Sequence, residues 1–164
     1  MRTQANALPW LLVSVLVIAL DQLSKFWALS ALQPAGEPHP VIPGFLNWTL
    51  AFNTGAAFSF LAEGSGWQRW FFIGLAVSVS VAIGVWLARL PPSAHKLTAA
   101  GLALVLGGAL GNVIDRIRIG SVVDFIHFHW YQAYFPAFNV ADSAITVGAG
   151  LLLLDALLDS RRKS

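Results

Sequence analysis

Two aspartates have the surroundings that acid–base chemistry requires. Asp124 lies in SVVDFIHFHWY and Asp142 in FNVADSAITVG, 18 residues apart. Asp124 is flanked by Val122, Val123, Phe125 and Ile126 in a run with extended character. Such a carboxyl is partly desolvated, and burial favours its neutral form. Asp142 stands at the start of a helical pattern, where Asp is also a favoured N-cap, so capping is an alternative to chemistry there. If the intervening segment brings the two together, they cannot both ionise comfortably and share one proton. The ionised partner can take a proton from water, and the neutral one can donate to a carbonyl oxygen. That arrangement hydrolyses peptides with no metal and no cofactor. The chain contains no cysteine, which excludes disulfides, thiolate metal sites and a cysteine nucleophile, and the chain is not expected to be lipidated itself.

A second set of polar residues stands near the same end of the apolar segments. Asp21 and Lys25 are one helical turn apart and share a face. They form either an ion pair that orients the helix or a contact to substrate. Asn112, Asp115 and Arg116 close another apolar segment. Arg can hold a carboxylate through two parallel hydrogen bonds, so this trio either ties a helix end to a loop or positions reacting groups. His127 and His129 invite a metal, but on a strand they face away from Asp124, and a polar or interfacial role suits them better. A Ser24–Lys25 dyad fails because adjacent helical residues do not face each other.

The elements that must hold these residues are membrane spans. Of the 164 residues 57% are hydrophobic and 11% charged, with mean hydropathy +0.68. A soluble domain has roughly a quarter charged residues. Four stretches approach the roughly 20 apolar residues that cross a bilayer: about 8–32, 67–90, 97–117 and 139–158. The first resembles a cleavable signal peptide in part, but its run continues through Phe26 and Trp27, and a retained helix is the better reading. With the N-terminus cytoplasmic, Arg2, Arg89, Lys96, Arg161, Arg162 and Lys163 lie inside, and Arg69, Arg116 and Arg118 outside. That distribution obeys the positive-inside rule and puts both termini in the cytoplasm. Asp21 then lies roughly 20 Å along its helix from Leu8, in the outer part of the bilayer. The net charge of +2 and pI near 9.4 reflect these helix-end basic residues and give no stripe for nucleic acid.

The outer segments, about 33–66 and 118–138, are the long ones. The first is broken by prolines and glycines and then turns aromatic, which predicts short strands and turns on the membrane surface. Small residues four apart, Ser78 with Ala82, Gly107 with Gly111 and Ala144 with Gly148, predict close helix packing. Asp155 and Asp159, beside basic residues at the far end, are expected to be solvated. A proton-relay or transport protein using the same carboxylates is the alternative function. The absence of an internal repeat and the gathering of the acids at one face weigh against it.

Taken together, the motifs resemble the bacterial lipoprotein signal peptidase family, also called signal peptidase II. The matching segments are DQLSK at Asp21–Lys25, NTGAAFS at Asn53–Ser59, GGALGNVIDR at Gly107–Arg116, VVDF at Val122–Phe125 and FNVADS at Phe138–Ser143. The resemblance implies one membrane peptidase domain over 1–164. Its fold class is all-α, with four transmembrane helices, a small periplasmic β-cradle and a short surface helix. It implies an inner-membrane enzyme working at the periplasmic face, and a monomer is expected. Its substrates would be prolipoproteins already carrying diacylglyceryl on a cysteine, cut just before that cysteine, with globomycin as inhibitor and membrane lipids as surroundings. By motif match Asp124 and Asp142 are the catalytic pair. Asn53, Gly55, Asn112, Arg116, Asn139 and Ala141 line or support the site, and Asp21, Lys25 and Asp115 maintain structure. No metal or cofactor is implied.

Overall fold

A computed structural model describes residues 6–55, 66–91 and 96–163. Four helices dominate. A 3-10 turn over Leu8–Trp10 leads into α1 (Leu11–Ala31), followed by α2 (Trp67–Arg89), α3 (Lys96–Ile119) and α4 (Val140–Lys163). Each is long and apolar enough to span a bilayer. The expected spans are all present. The last runs further than expected because its C-terminal turn, DSRRK, is polar yet ends in the good helix formers Arg and Lys. The expected short surface helix, in so far as it falls on 56–65, lies outside the described residues.

The third helix is the centre of the bundle. Its most apolar window is 61% buried, against 17–28% in the other three spans. Glycines explain how neighbours come so close. A Cβ on Gly107 would lie 2.8 Å from the Ser14 carbonyl oxygen of α1, and one on Gly108 would lie 2.4 Å from the Ala141 carbonyl oxygen of α4. Gly101 and Gly148 meet each other's carbonyl oxygens in the same way. Backbone-to-backbone packing of this kind holds helices together where lipid supplies no hydrophobic drive. The expectation therefore holds for Gly107 with Gly111 and for Ala144 with Gly148. It fails for Ser78 with Ala82, which are exposed on α2. That helix meets α3 along a narrow edge that includes Ile83 and Leu87, and the Ser78 hydroxyl bonds back to the Gly74 carbonyl. Outward-facing Leu12, Leu16, Leu20, Leu23 and Phe26 of α1 give the apolar exterior that lipid requires.

The outer segments pair into one antiparallel sheet, in the order β1 (Pro38–Ile42), β2 (Leu46–Asn53), β3 (Val122–Trp130) and β4 (Ala133–Tyr134). The prolines of β1 sit on the edge strand, where a missing N–H does no harm. Leu50 of β2 and Val123 and Phe125 of β3 pack on Ala28 of α1 and on Leu32 just after it. Trp27 meets Trp48 edge-on at 5.8 Å and Phe125 at 6.1 Å. This apolar seam fixes the sheet to the end of the bundle. It also fixes the register that aligns Ala51 with Asp124 and Asn53 with Val122.

At the other end Asp155 is half-buried and accepts a hydrogen bond from the Thr98 hydroxyl of α3. The expectation of a solvated side chain is corrected there. The reason is that α3 and α4 lie in such close contact along their glycine faces that the carboxylate finds a protein donor.

Candidate active site

The start of α4 builds the site. Asn139 precedes the helix and its Oδ1 accepts from the Asp142 N–H at 2.9 Å, while the Asn139 N–H donates to Asp142 Oδ2 at 3.3 Å. This is a reciprocal capping box. Asn139 is the cap, and Asp142, the third helical residue, closes the return bond. The alternative that Asp142 is itself the N-cap is thus corrected. Its remaining oxygen, Oδ1, accepts from Asn112 Nδ2 at 2.8 Å.

The same Asn139 reaches the second carboxyl. Its Nδ2 lies 2.7 Å from Asp124 Oδ1, 3.2 Å from the Val123 carbonyl and 3.3 Å from Asn112 Oδ1. Asn139 is fully buried and Asp124 is 2% exposed. One amide therefore touches both aspartates. Asp124 also accepts from the Asn53 side chain at the end of β2. Burial, then the charge of Asp142, pushes the Asp124 pKa up to about 7, against the smaller opposing effect of the two asparagines. The expectation of a desolvated Asp124 close to Asp142 is met in geometry.

Beneath the pair lies a charged cluster. Lys25 Nζ donates to Asp21 Oδ2 and Asp115 Oδ2 at 2.8 Å each, and to Asn112 Oδ1 at 2.9 Å. An ammonium has three N–H bonds, so this one is saturated. Asp21 Oδ1 accepts from the Ala141 N–H at 3.0 Å, and Asp115 Oδ2 from the Val123 N–H at 3.1 Å. Ala141 and Val123 each adjoin one of the aspartates. The cluster thus ties α1, α3, β3 and α4 together at the point where Asp124 and Asp142 are presented. Gly111 lets it form: a Cβ there would sit 2.6 Å from Asp21 Oδ2.

Arg116 completes the site differently from the expected bidentate clamp. Its Nη1 donates to the Asn112 carbonyl at 3.4 Å, and its guanidinium lies 5.1 Å over the Phe72 ring. Its charge acts on Asp142 first, then on Asp124 and Asp115. Gly55 has φ +88° and donates its N–H to Asn53 Oδ1 at 2.8 Å, which shapes the turn that presents Asn53. Every candidate residue from the motifs is therefore in one neighbourhood.

His127 stands apart from it. Its Nδ1 lies 3.2 Å from the Thr49 hydroxyl and its ring 5.2 Å from Tyr134, while His129 stacks on Tyr134 at 5.0 Å. Two contributors were not among the sequence candidates. Gln22 donates to Asp115 Oδ1 at 2.9 Å and to the Gly111 carbonyl at 3.2 Å, and accepts from Arg118 at 3.3 Å. A glutamine between Asp21 and Lys25 in a membrane helix is a signal in itself, because an amide in hydrocarbon needs partners. Phe72 carried no signal, since phenylalanine is ordinary in an apolar span.

Known proteins share this architecture. Residues 13–158 match the family model described as signal peptidase (SPase) II. The chain belongs to the signal peptidase II family. It is accordingly a peptidase of that class. The lipoprotein signal peptidase of Pseudomonas syringae pv. tomato is 56% identical over 154 residues, covering 93% of this chain and 88% of that protein. That of Polynucleobacter necessarius is 54% identical over 159 residues, covering 97% and 95%. A bacterial membrane enzyme solved by the in meso method at 2.3 Å superimposes with TM-score 0.80 at 31% identity, covering 95% of this chain and 92% of that one. A second, at 1.9 Å, gives 0.76 at 32% identity, covering 91% and 92%.

Proposed function

We propose that the chain removes signal peptides from diacylglyceryl-modified prolipoproteins, cutting just before the lipidated cysteine, with Asp124 and Asp142 as the reacting pair. The observation that carries the mechanism is that one residue, Asn139, bonds both carboxyls: its side-chain Nδ2 donates to Asp124 and its backbone N–H to Asp142. Asp142 accepts N–H donors on both oxygens and feels the positive charge of Arg116, so it is the ionised base. Asp124, buried and raised, holds the shared proton. Asp142 takes a proton from water as the oxygen attacks the scissile carbonyl carbon, and Asp124 donates to the carbonyl oxygen. When the C–N bond breaks, the proton on Asp142 passes to the departing amine and the one on the oxygen returns to Asp124.

Two apolar hollows adjoin the site, one at Asp142 and one at Asn112 and Arg116. One of about 510 Å³ is lined by Phe135, Phe138, Asp142 and Val147, and one of about 340 Å³ by Phe72, Val79, Asn112 and Arg116. Two apolar hollows at the site suit a substrate that carries a hydrophobic signal segment and acyl chains. The enzyme is a multi-pass protein of the bacterial inner membrane. We place both termini in the cytoplasm and the dyad at the periplasmic face, following the distribution of Lys and Arg. The chain acts as a single domain over 1–164 and as a monomer, surrounded by membrane lipid and inhibited by globomycin.

The deciding experiment compares lipidated and unlipidated forms of one prolipoprotein, with globomycin as control. Only the lipidated form is expected to be cut, and globomycin is expected to stop it. Equal cleavage of both forms contradicts the substrate assignment. The proton assignment has its own test. A general acid with pKa near 7 is lost as pH rises, so kcat/KM falls above about pH 7. Asn53→Ala removes a hydrogen bond that favours the ionised form, so that falling limb moves to higher pH. A profile flat from about pH 6 to about pH 9 rules out Asp124 as the acid.

A further inference from the structure

On the dyad reading just given, we infer that Phe72 is a positioning residue for the aspartate pair: its ring edge braces the Asn53–Gly55 turn, and its face carries Arg116. No motif assigns this side chain. On the same stretch of α2, Trp67, Trp70 and Phe71 are exposed, as lipid-facing aromatics are. Phe72 is half-buried and turned toward the site.

The geometry gives the ring two roles. A Cβ on Gly55 would fall 2.4 Å from Phe72 Cε2 and 2.9 Å from Cδ2, so the backbone of the turn lies directly on the ring edge. Gly55 has positive φ and donates to Asn53 Oδ1, so holding Gly55 holds the Asn53 amide. That amide bonds Asp124. The face of the same ring lies 5.1 Å from the guanidinium carbon of Arg116, whose charge acts on Asp142. A guanidinium over an aromatic face is attracted by the ring quadrupole. One side chain of α2 therefore restrains a group bearing on each aspartate. Leucine fills similar space, but it has neither a flat edge for Gly55 nor a π face for Arg116.

The test uses the full-length purified protein and a lipidated prolipoprotein. Phe72→Leu is expected to lower kcat about tenfold, a larger effect than any on KM through the hollow the ring also lines, since a small misplacement of reacting groups acts on the chemical step. Its falling alkaline limb moves to higher pH, in the same direction as that of Asn53→Ala. The two changes share the Asn53 hydrogen bond, so the F72L/N53A double variant loses less than the product of the single losses, by the part of the Phe72 effect that runs through Asn53. Phe72→Tyr keeps edge and face and restores kcat. Trp86→Leu, an exposed aromatic on the same helix, serves as the control and leaves kcat unchanged. Thermal unfolding in detergent identifies any variant that fails to fold, and Phe72→Met is read in place of an unfolded Leu variant. Wild-type kcat in the folded variant, or losses that multiply independently, overturns the brace. Asp124→Asn measured alongside keeps the two ideas separate. If it is inactive while F72L is unimpaired, only the brace is wrong; if it cleaves normally, the dyad is wrong and the brace with it.

Discussion

Asp142→Asn and Asp124→Asn are each expected to lower kcat for a lipidated prolipoprotein by at least roughly 10³-fold, within the range that positioned proton transfer contributes. The two losses arise differently. At position 142 both carboxylate oxygens accept N–H donors, from Asn112 and from the backbone of Asn139. An amide there turns one acceptor into a donor and sets it against a donor. The base disappears, and the start of α4 is weakened with it. At position 124 Asn can still accept from the buried Asn139 through its Oδ1, so only the more exposed Asn53 contact is at risk while the transferable proton is lost. Asp124→Asn should therefore unfold close to the wild-type temperature, and Asp142→Asn somewhat below it. The measurements are single-turnover cleavage of the lipidated substrate and thermal unfolding in detergent. Full cleavage by either purified variant removes that aspartate from the chemistry.

Sequence alone reached further into the site than into its surroundings, for a physical reason. Charged residues are so unfavourable in hydrocarbon that each one in a span marks a partner or a polar cavity. Asp21, Lys25, Asp115 and Arg116 are thus assigned to one end of the bundle by residue type and position alone. Helical spacing paired Asp21 with Lys25, and the 2.8 Å contact agrees. What spacing could not give was the third partner from another helix, because the rotation of α3 against α1 is set by Gly107 and Gly111 packing on α1. The same limit explains Asp142. A helix start is legible to within a few residues only, so capping by Asp142 stays an open alternative from sequence, whereas the cap belongs to Asn139. It explains Arg116 as well: pairing with a carboxylate was a fair expectation from its neighbour Asp115, but the Phe72 ring of α2 occupies its face. Ser78 and Ala82 show the converse error. Small residues at four-residue spacing permit close approach without requiring it.

Lys25→Met is expected to be the most damaging change to stability. Methionine matches the length of the lysine stem, so little packing is lost, and the effect reports the charge. The ammonium is 2% exposed and lies between Asp21 and Asp115, which are 0% and 4% exposed. Removing it leaves two carboxylates buried beside each other with no cation in contact with both. Breaking a buried pair from one side costs about 3–5 kcal/mol. Relief is available only by protonating one of them, and a protonated carboxyl at Asp115 or Asp21 weakens its hold on the Val123 or Ala141 N–H. Those two bonds fix the backbone next to Asp124 and Asp142, so activity falls along with stability. Lys25→Arg is a sharper probe. It keeps the charge, but a planar fork cannot reproduce three N–H bonds radiating from one nitrogen, and the larger head has no room among buried partners. The expected order of unfolding temperature in detergent is wild type, then Arg, then Met. A Met variant as stable as wild type would show that Asp21 and Asp115 are neutral in the folded protein and that the cluster is not an ionic one.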